Sequence, residues 1–561
     1  MFQGCCAMVR GGLVIAVLAV AAVAPADASM PRPKDVWHRI DGSGFEIVGD
    51  ADAAVMREVA IRFGRLRAVV PGIFGIDDPD AGRPVRVFVL SRPKTFRPYS
   101  AGRARDVSGM FVRGDGARYL VLDASPPLDP HAILAHEYVH YILDESAPPL
   151  PLWFDEGLAE LFSTFRADPV RAEIGLPNPR QQQLLASAGP IADAKFFAIE
   201  AGSPEYLGGA LKELYHAQAW ATVHAAIVGS GAGLPALARF LGRVRDGQDP
   251  GAVFEAEFGA PVATFARRSA AYAVQEPWVT VTVELDRRVV DEDPEVRAMS
   301  HAETLARLGD LLANNGSVSN PSARKHFERA LRLDPDQPLA LAGVGTLRSR
   351  EQAYEQAAAA FDRAHHLAPS DPIIAYRAAR NLMRWVESDL RAGRERNAAV
   401  DGRVEAARDR FRVATEQDPT FVAAYVGLGS SYLFGDPGTP EAAAALDRAR
   451  GLAPLDPDVR FSRAVLALRA GRLDDARADL EALMAAPADP ARVRFVRHSL
   501  ERADLEAVRG IEFDGGEDAS GARATLRRLR DTAISGEVRR EASELLIDRA
   551  GEPFVKDPEP L

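Results

Sequence analysis

The sequence predicts an α+β domain followed by an all-α array of helical repeats, and three observations carry that reading. Short alternating or β-branched apolar runs lie before residue 127. Helical spacing dominates from there to about residue 275. From about residue 301 a pattern of small residues, Leu and Pro returns at steps of 34 or 35 residues, with one longer gap. At 561 residues the chain is also too long for a single core.

Residues 1–28 are expected to be a signal peptide. Arg10 precedes the apolar run Leu13 to Ala24, and Ala26-Asp27-Ala28 supplies a cleavage pattern before Ser29. The run is short for a membrane span, so an exported protein, periplasmic or secreted, is the reading, with a retained anchor as the alternative. Both cysteines, Cys5 and Cys6, lie in this segment. The mature chain therefore has no disulfide, and any metal must be held by His and carboxylates.

Strands are expected at Phe45–Val48 and Val85–Leu90, and a hairpin joins Met110–Val112 to Tyr119–Leu122 around Gly114-Asp115-Gly116. Helical spacing runs from Ala53 to Val70, ending near Pro71-Gly72. Asp129 caps a further helix that has Pro130 at its first position and continues through Leu143. The Pro-rich stretch 148–152 breaks it, and Trp153 to Phe165 reads as the next helix. Residues 276–300 read as a connector with one strand-like run, Val279 to Leu285.

Apolar residues make up 47% of the chain and charged residues 26%, with a formal charge of −11. That balance gives no pull towards nucleic acid or an anionic membrane. No segment after the first thirty residues is long and apolar enough to cross a bilayer. No P-loop, dinucleotide fingerprint or nucleophile elbow is present.

The repetitive part starts with Ala330-Leu331-Arg332-Leu333-Asp334-Pro335, which returns 34 residues later as Ala364 to Pro369. Ala414 to Pro419 and Ala449 to Pro454 match again, and Phe327 and Phe361 keep the same offset. An insertion lies around residues 388–404. This pattern resembles the tetratricopeptide repeat, helix-turn-helix units whose small residues let helices nest. The resemblance implies repeats over 301–487, a helical extension over 488–561, and either a surface for a protein partner or a structural scaffold.

The chemistry is concentrated in His136-Glu137-Tyr138-Val139-His140. On a helix, positions i and i+4 share a face, so two imidazoles can grip one Zn²⁺ while the intervening glutamate reaches a water on the metal. Catalytic zinc takes three protein ligands, and Leu152-Trp153-Phe154-Asp155-Glu156-Gly157-Leu158-Ala159-Glu160 supplies candidates for the third. Here the chain resembles the gluzincin peptidases, especially the bacterial "peptidase MA-like" group and more distantly thermolysin and the zinc aminopeptidases. Asp155-Glu156-Gly157-Leu158-Ala159 matches their second motif, with Asp in place of the commoner Asn.

The resemblance implies a gluzincin-like catalytic domain over residues 36–275, with zinc on His136, His140 and Glu156 and with Glu137 as general base. Glu160, one turn after Glu156, would accept a hydrogen bond from a ligand imidazole. Asp155 either belongs to the site or is an acid favoured by the helix dipole. Tyr215-His216-Ala217-Gln218-Ala219 resembles a further helix of the group and implies Tyr215 as the oxyanion donor, with His216 second. The implied activity is hydrolysis of peptide or protein substrates, with recruitment by the repeats. The alternative is an interaction protein working through the repeats, with little or no turnover. Zinc aminopeptidases of this clan carry an acidic residue on an edge strand, whereas Gly109-Met110-Phe111-Val112-Arg113 has none, which points to cleavage within chains.

Overall fold

A computed structural model describes residues 30–76, 84–100, 107–146, 148–275, 277–285, 293–316, 319–454, 456–485, 490–509, 511 and 517–550. The expected signal segment, with Cys5 and Cys6, lies outside the described residues. The described residues form two compact units, one holding those within 30–388 together with 396–424, the other holding 389–395 and those within 425–550. Among the described residues no single helix is long and apolar enough to cross a membrane.

Nine strands are described: β1 (His38–Gly42), β2 (Phe45–Gly49), β3 (Val85–Leu90), β4 (Gly109–Arg113), β5 (Arg118–Asp123), β6 (Arg166–Ala167), β7 (Arg171–Ile174), β8 (Val281–Glu284) and β9 (Arg297–Ala298). Six make one sheet in the order β4-β5-β3-β2-β1-β9. The central neighbours β2, β3 and β5 run parallel, while β4 pairs antiparallel with β5 as the expected hairpin. This leaves β4 as an edge. The remaining three strands form a small second sheet, β6-β7-β8, which local patterning did not announce beyond the run at Val279 to Leu285.

Side chains alternate across a strand, and the main sheet uses both faces. Ile47, Val87, Val89, Leu120 and Leu122 point into one core, under the helices Ala53–Phe74 and Pro130–Ser146. Val48, Phe88, Leu90, Tyr119 and Val121 point into a second core that includes Leu305, Leu308 and Leu311 of the first repeat helix, His301–Asn314. Every residue of β3 is accordingly buried, where alternation alone predicts a half-exposed strand. The 276–300 segment is thus a connector along the chain but not a boundary in space. The domain limits drawn at 275 and 301 separate residues that share one core, and the compact units divide near residue 388 instead.

Charges buried in the same contact reinforce it. Asp310 accepts hydrogen bonds from Arg86 (2.5 Å), Arg377 (2.7 Å) and Tyr119 (2.6 Å). Arg307 clasps Glu46 of β2 through two bonds of 2.8 Å. Buried ions survive only when their hydrogen bonds are met, and here each carboxylate is shared by more than one donor.

Several helix limits differ from the sequence reading by a few residues. The first helix continues through Pro71 to Phe74 and closes at Gly75, whose φ of +66° suits a residue without Cβ. The helix expected to reach Phe165 stops at Ser163, where the chain turns into β6.

The repeats are helix pairs whose second members, Asn320–Leu333, Tyr354–Leu367, Ala398–Gln417 and Pro440–Leu452, each stop just before the recurrent proline. Phe327 shows why small residues recur: a Cβ on Gly343 would sit 2.1 Å from its ring. The insertion near 388–404 appears as two helices of 20 residues, Pro372–Arg391 and Ala398–Gln417. In the second unit, Ala464, Ala467, Leu480 and Val496 share one apolar cluster, and the three helices from Pro490 to Ala550 make up the expected extension.

Candidate metal centre

The helix Pro130–Ser146 starts where Asp129 accepts a hydrogen bond from the His131 N–H at 2.9 Å. Its apolar face, Leu134, Tyr138, Val139 and Ile142, is buried in the first core, which leaves His136 and His140 together on a half-buried face. The helix Leu152–Ser163 brings Asp155, Glu156 and Glu160 opposite them. Gly157 sets the spacing to a third helix, Ala210–His224, because a Cβ there would meet the Ala219 carbonyl oxygen at 2.5 Å. That close approach delivers His216 to the same place.

Three ligand atoms converge. His136 Nε2 and His140 Nε2 are 3.0 Å apart, and Glu156 Oε2 lies 3.5 Å from the first and 3.6 Å from the second. Bonds of 2.0–2.1 Å to a tetrahedral ion place ligand atoms about 3.3 Å apart, so this triangle is one face of such a site. Glu156 Oε2 is also buried without a hydrogen-bond partner. A charged oxygen left unmet beside two ring nitrogens is costly unless a cation completes it. The donor set of two imidazoles and one carboxylate suits zinc.

The surroundings orient these groups. Asp155 Oδ1 faces His140 Nδ1 at 3.1 Å, which fixes the ring and turns its Nε2 lone pair towards the triangle. Burial opposes charge on His140, yet Asp155 and Glu156 outweigh it and hold its pKa well above the ordinary imidazole value. Burial likewise opposes charge on Glu156, but His216, His140 and His136 keep it well below the usual carboxylate range. Glu160 Oε1 faces His136 Nδ1 at 3.6 Å and His216 Nδ1 at 3.2 Å, and its Oε2 accepts from Gln181 at 2.7 Å. Glu160 therefore stands behind one candidate ligand and braces a second histidine.

Glu137 packs against the sheet edge. A Cβ on Gly109, the first residue of β4, would lie 2.7 Å from Glu137 Oε1 and 2.4 Å from Ile133 Cγ2. Only a bare backbone lets the carboxylate lie there, which ties the candidate base to the edge strand.

Tyr215 is 1% exposed and packs with Ile191, Phe196 and Ile199. Its neighbour His216 and the more distant Tyr206 meet Glu156 instead, beside the two candidate ligand histidines. Tyr206 donates its hydroxyl to Glu156 Oε1, and His216 Nδ1 stands 3.5 Å from Oε2. The rings of His136, His216 and Tyr206 lie nearly parallel, with planes 13° and 10° apart. Tyr206 sits on the four-residue helix Pro204–Leu207, too short for periodicity, so no sequence signal marked it.

A family model described as a tetratricopeptide repeat matches residues 306–372 and 438–491. No curated protein matches the chain. Among solved structures, a tetratricopeptide-repeat protein of the thermophile Thermus thermophilus is 24% identical, with 36% of this chain and 98% of that chain covered and a TM-score of 0.29. PilF of Pseudomonas aeruginosa is 17% identical over 43% of this chain and 95% of its own, with a TM-score of 0.30. A tetratricopeptide-repeat protein from Parabacteroides merdae is 16% identical over 44% and 92%, at 0.28. The chain thus carries tetratricopeptide repeats in the two matched stretches, as the 34-residue period implied.

Proposed function

We propose that the chain is a zinc-dependent peptidase of the gluzincin type whose repeats recruit a protein substrate or partner. The supporting observation is the triangle of His136 Nε2, His140 Nε2 and the unpartnered Glu156 Oε2, with Glu137 on the same helix. Zinc, when bound by such a set, supplies Lewis-acid polarisation and acidifies water. Glu137 takes a proton from water and returns it to the leaving amine. Tyr206 and His216, which already meet Glu156, are assigned as donors to the developing oxyanion in preference to Tyr215. An extended substrate pairs along β4, and the absence of an acid there favours cleavage within chains. Export, read from the segment before Ser29, belongs to the same proposal.

The tetratricopeptide match favours a second reading, an interaction module with little or no turnover, and of the two it is the one the comparisons support. Hydrolysis of a casein or mixed-peptide substrate, with and without chelator and in Glu137→Gln, separates them. Chelator-sensitive activity that disappears in Glu137→Gln is expected. Equal background in all samples would leave the interaction reading.

A further inference from the structure

The β4–β5 hairpin ends in the turn Gly114-Asp115-Gly116, and the repeats grip that turn. The Asp115 N–H donates to Asn314 Oδ1 at 2.7 Å, and Arg377 Nε donates to the Asp115 carbonyl at 2.8 Å. Arg380 donates to the Asp115 carboxylate. Gly116, at φ +81°, leaves room for the Tyr376 and Phe421 rings, which a Cβ would meet at 2.9 and 3.0 Å. Asn314 is itself held, donating to Asp310 at 2.8 Å and to the Tyr119 hydroxyl at 3.1 Å. Backbone and side chain of one turn are therefore bound by groups from two separate repeat helices, His301–Asn314 and Pro372–Arg391.

The same hairpin is tied to the candidate active helix. Arg113 pairs with Asp144 at 2.8 Å, Arg118 pairs with Glu145, and Gly109 lies against Glu137. β4 thus spans from the candidate base at one end to the repeats at the other. Only β5 pairs with it among the described residues, so its outer edge has no strand to hold it.

We propose that the repeats set the position of the β4 edge through the Asp115 turn, so that Asp115 and Arg380 are positioning residues for the substrate strand. This rests on the peptidase reading. A free edge strand frays, and a peptide that pairs with it must order it first. A turn anchored at backbone and side chain removes that cost before substrate arrives. The repeats then act in binding the substrate even where they do not touch it.

The test uses full-length zinc-loaded protein with Asp115→Asn, Arg380→Gln, the double variant, and Arg363→Ala as a control that breaks only an exposed pair with Asp336. Hydrogen exchange of the protected amides in residues 109–113 and 118–123 should quicken by about tenfold or more in the first two and stay unchanged in the control. Zinc per chain should not change. KM for an extended peptide should rise severalfold with kcat within about twofold, because binding and not chemistry loses its support. The double variant should be no worse than the poorer single, since both act through one contact. Unchanged exchange in both single variants would overturn the clamp. Faster exchange with unchanged KM would overturn its role in holding substrate. If the parent protein does not hydrolyse peptides, the peptidase reading fails by itself, and exchange still decides whether the clamp exists.

Discussion

Glu137 and Glu156 lie on adjacent helices and answer to opposite demands. Glu156 is buried, with one oxygen taken by Tyr206 and the other aimed between two imidazoles, which is how a ligand is held. Glu137 leans on the bare backbone of Gly109, outside that triangle. Glu137→Gln is expected to keep zinc and fold while losing about 10²–10⁴ in kcat, the usual range for a general base. Gly109→Ala should displace the same carboxylate, so kcat should drop with zinc content intact. Parallel assays of Tyr206→Phe and Tyr215→Phe decide the donor: the first should lower kcat by about tenfold or more, the second much less. The reverse order would restore Tyr215 to the role the family resemblance implied. His136, Glu137 and His140 were legible because one helical turn fixes their spacing, and Glu156 because a motif names it. Tyr206 was not, since a contact across 50 residues of chain depends on tertiary packing alone.

The sheet and the first repeats are stabilised as one element. Leu308 and Leu311 are fully buried in the core they share with Phe88 and Val121. Leu308→Ala should cost about 2–5 kcal/mol and lower the melting of both the sheet and the repeats together. A fragment ending at Ser300 leaves the second sheet face bare, and it should bind a hydrophobic dye and unfold without a sharp transition. Cooperative unfolding of that fragment would show that the sheet stands alone. The strands, the hairpin and the repeat period could be read from local patterning. What the first repeat helix packs upon could not, because the same amphipathic stripe fits another repeat or a sheet. The ion pairs from Arg86 and Glu46 to Asp310 and Arg307 join residues more than 200 apart and leave no local trace.

At the scale of the whole molecule, charge links acid stability to this arrangement. Burial opposes ionisation of Asp115, but Arg380 and Arg377 outweigh it and hold its pKa down to about 2. An unfolded aspartate titrates near 3.9, so the folded value is depressed. The stabilisation is present above about pH 4 and is lost as pH falls towards about 2. Asp115→Asn should therefore flatten the acid limb of the melting profile in that window and leave its slope near neutrality unchanged.

Elemental analysis of protein purified without added metal tests the proposed zinc site on His136, His140 and Glu156 most directly. One zinc per chain is expected in the parent protein and in Glu160→Gln, with stoichiometric loss in Glu156→Gln. A parent protein without zinc, or a Glu156→Gln variant that keeps its full complement, would contradict the claim.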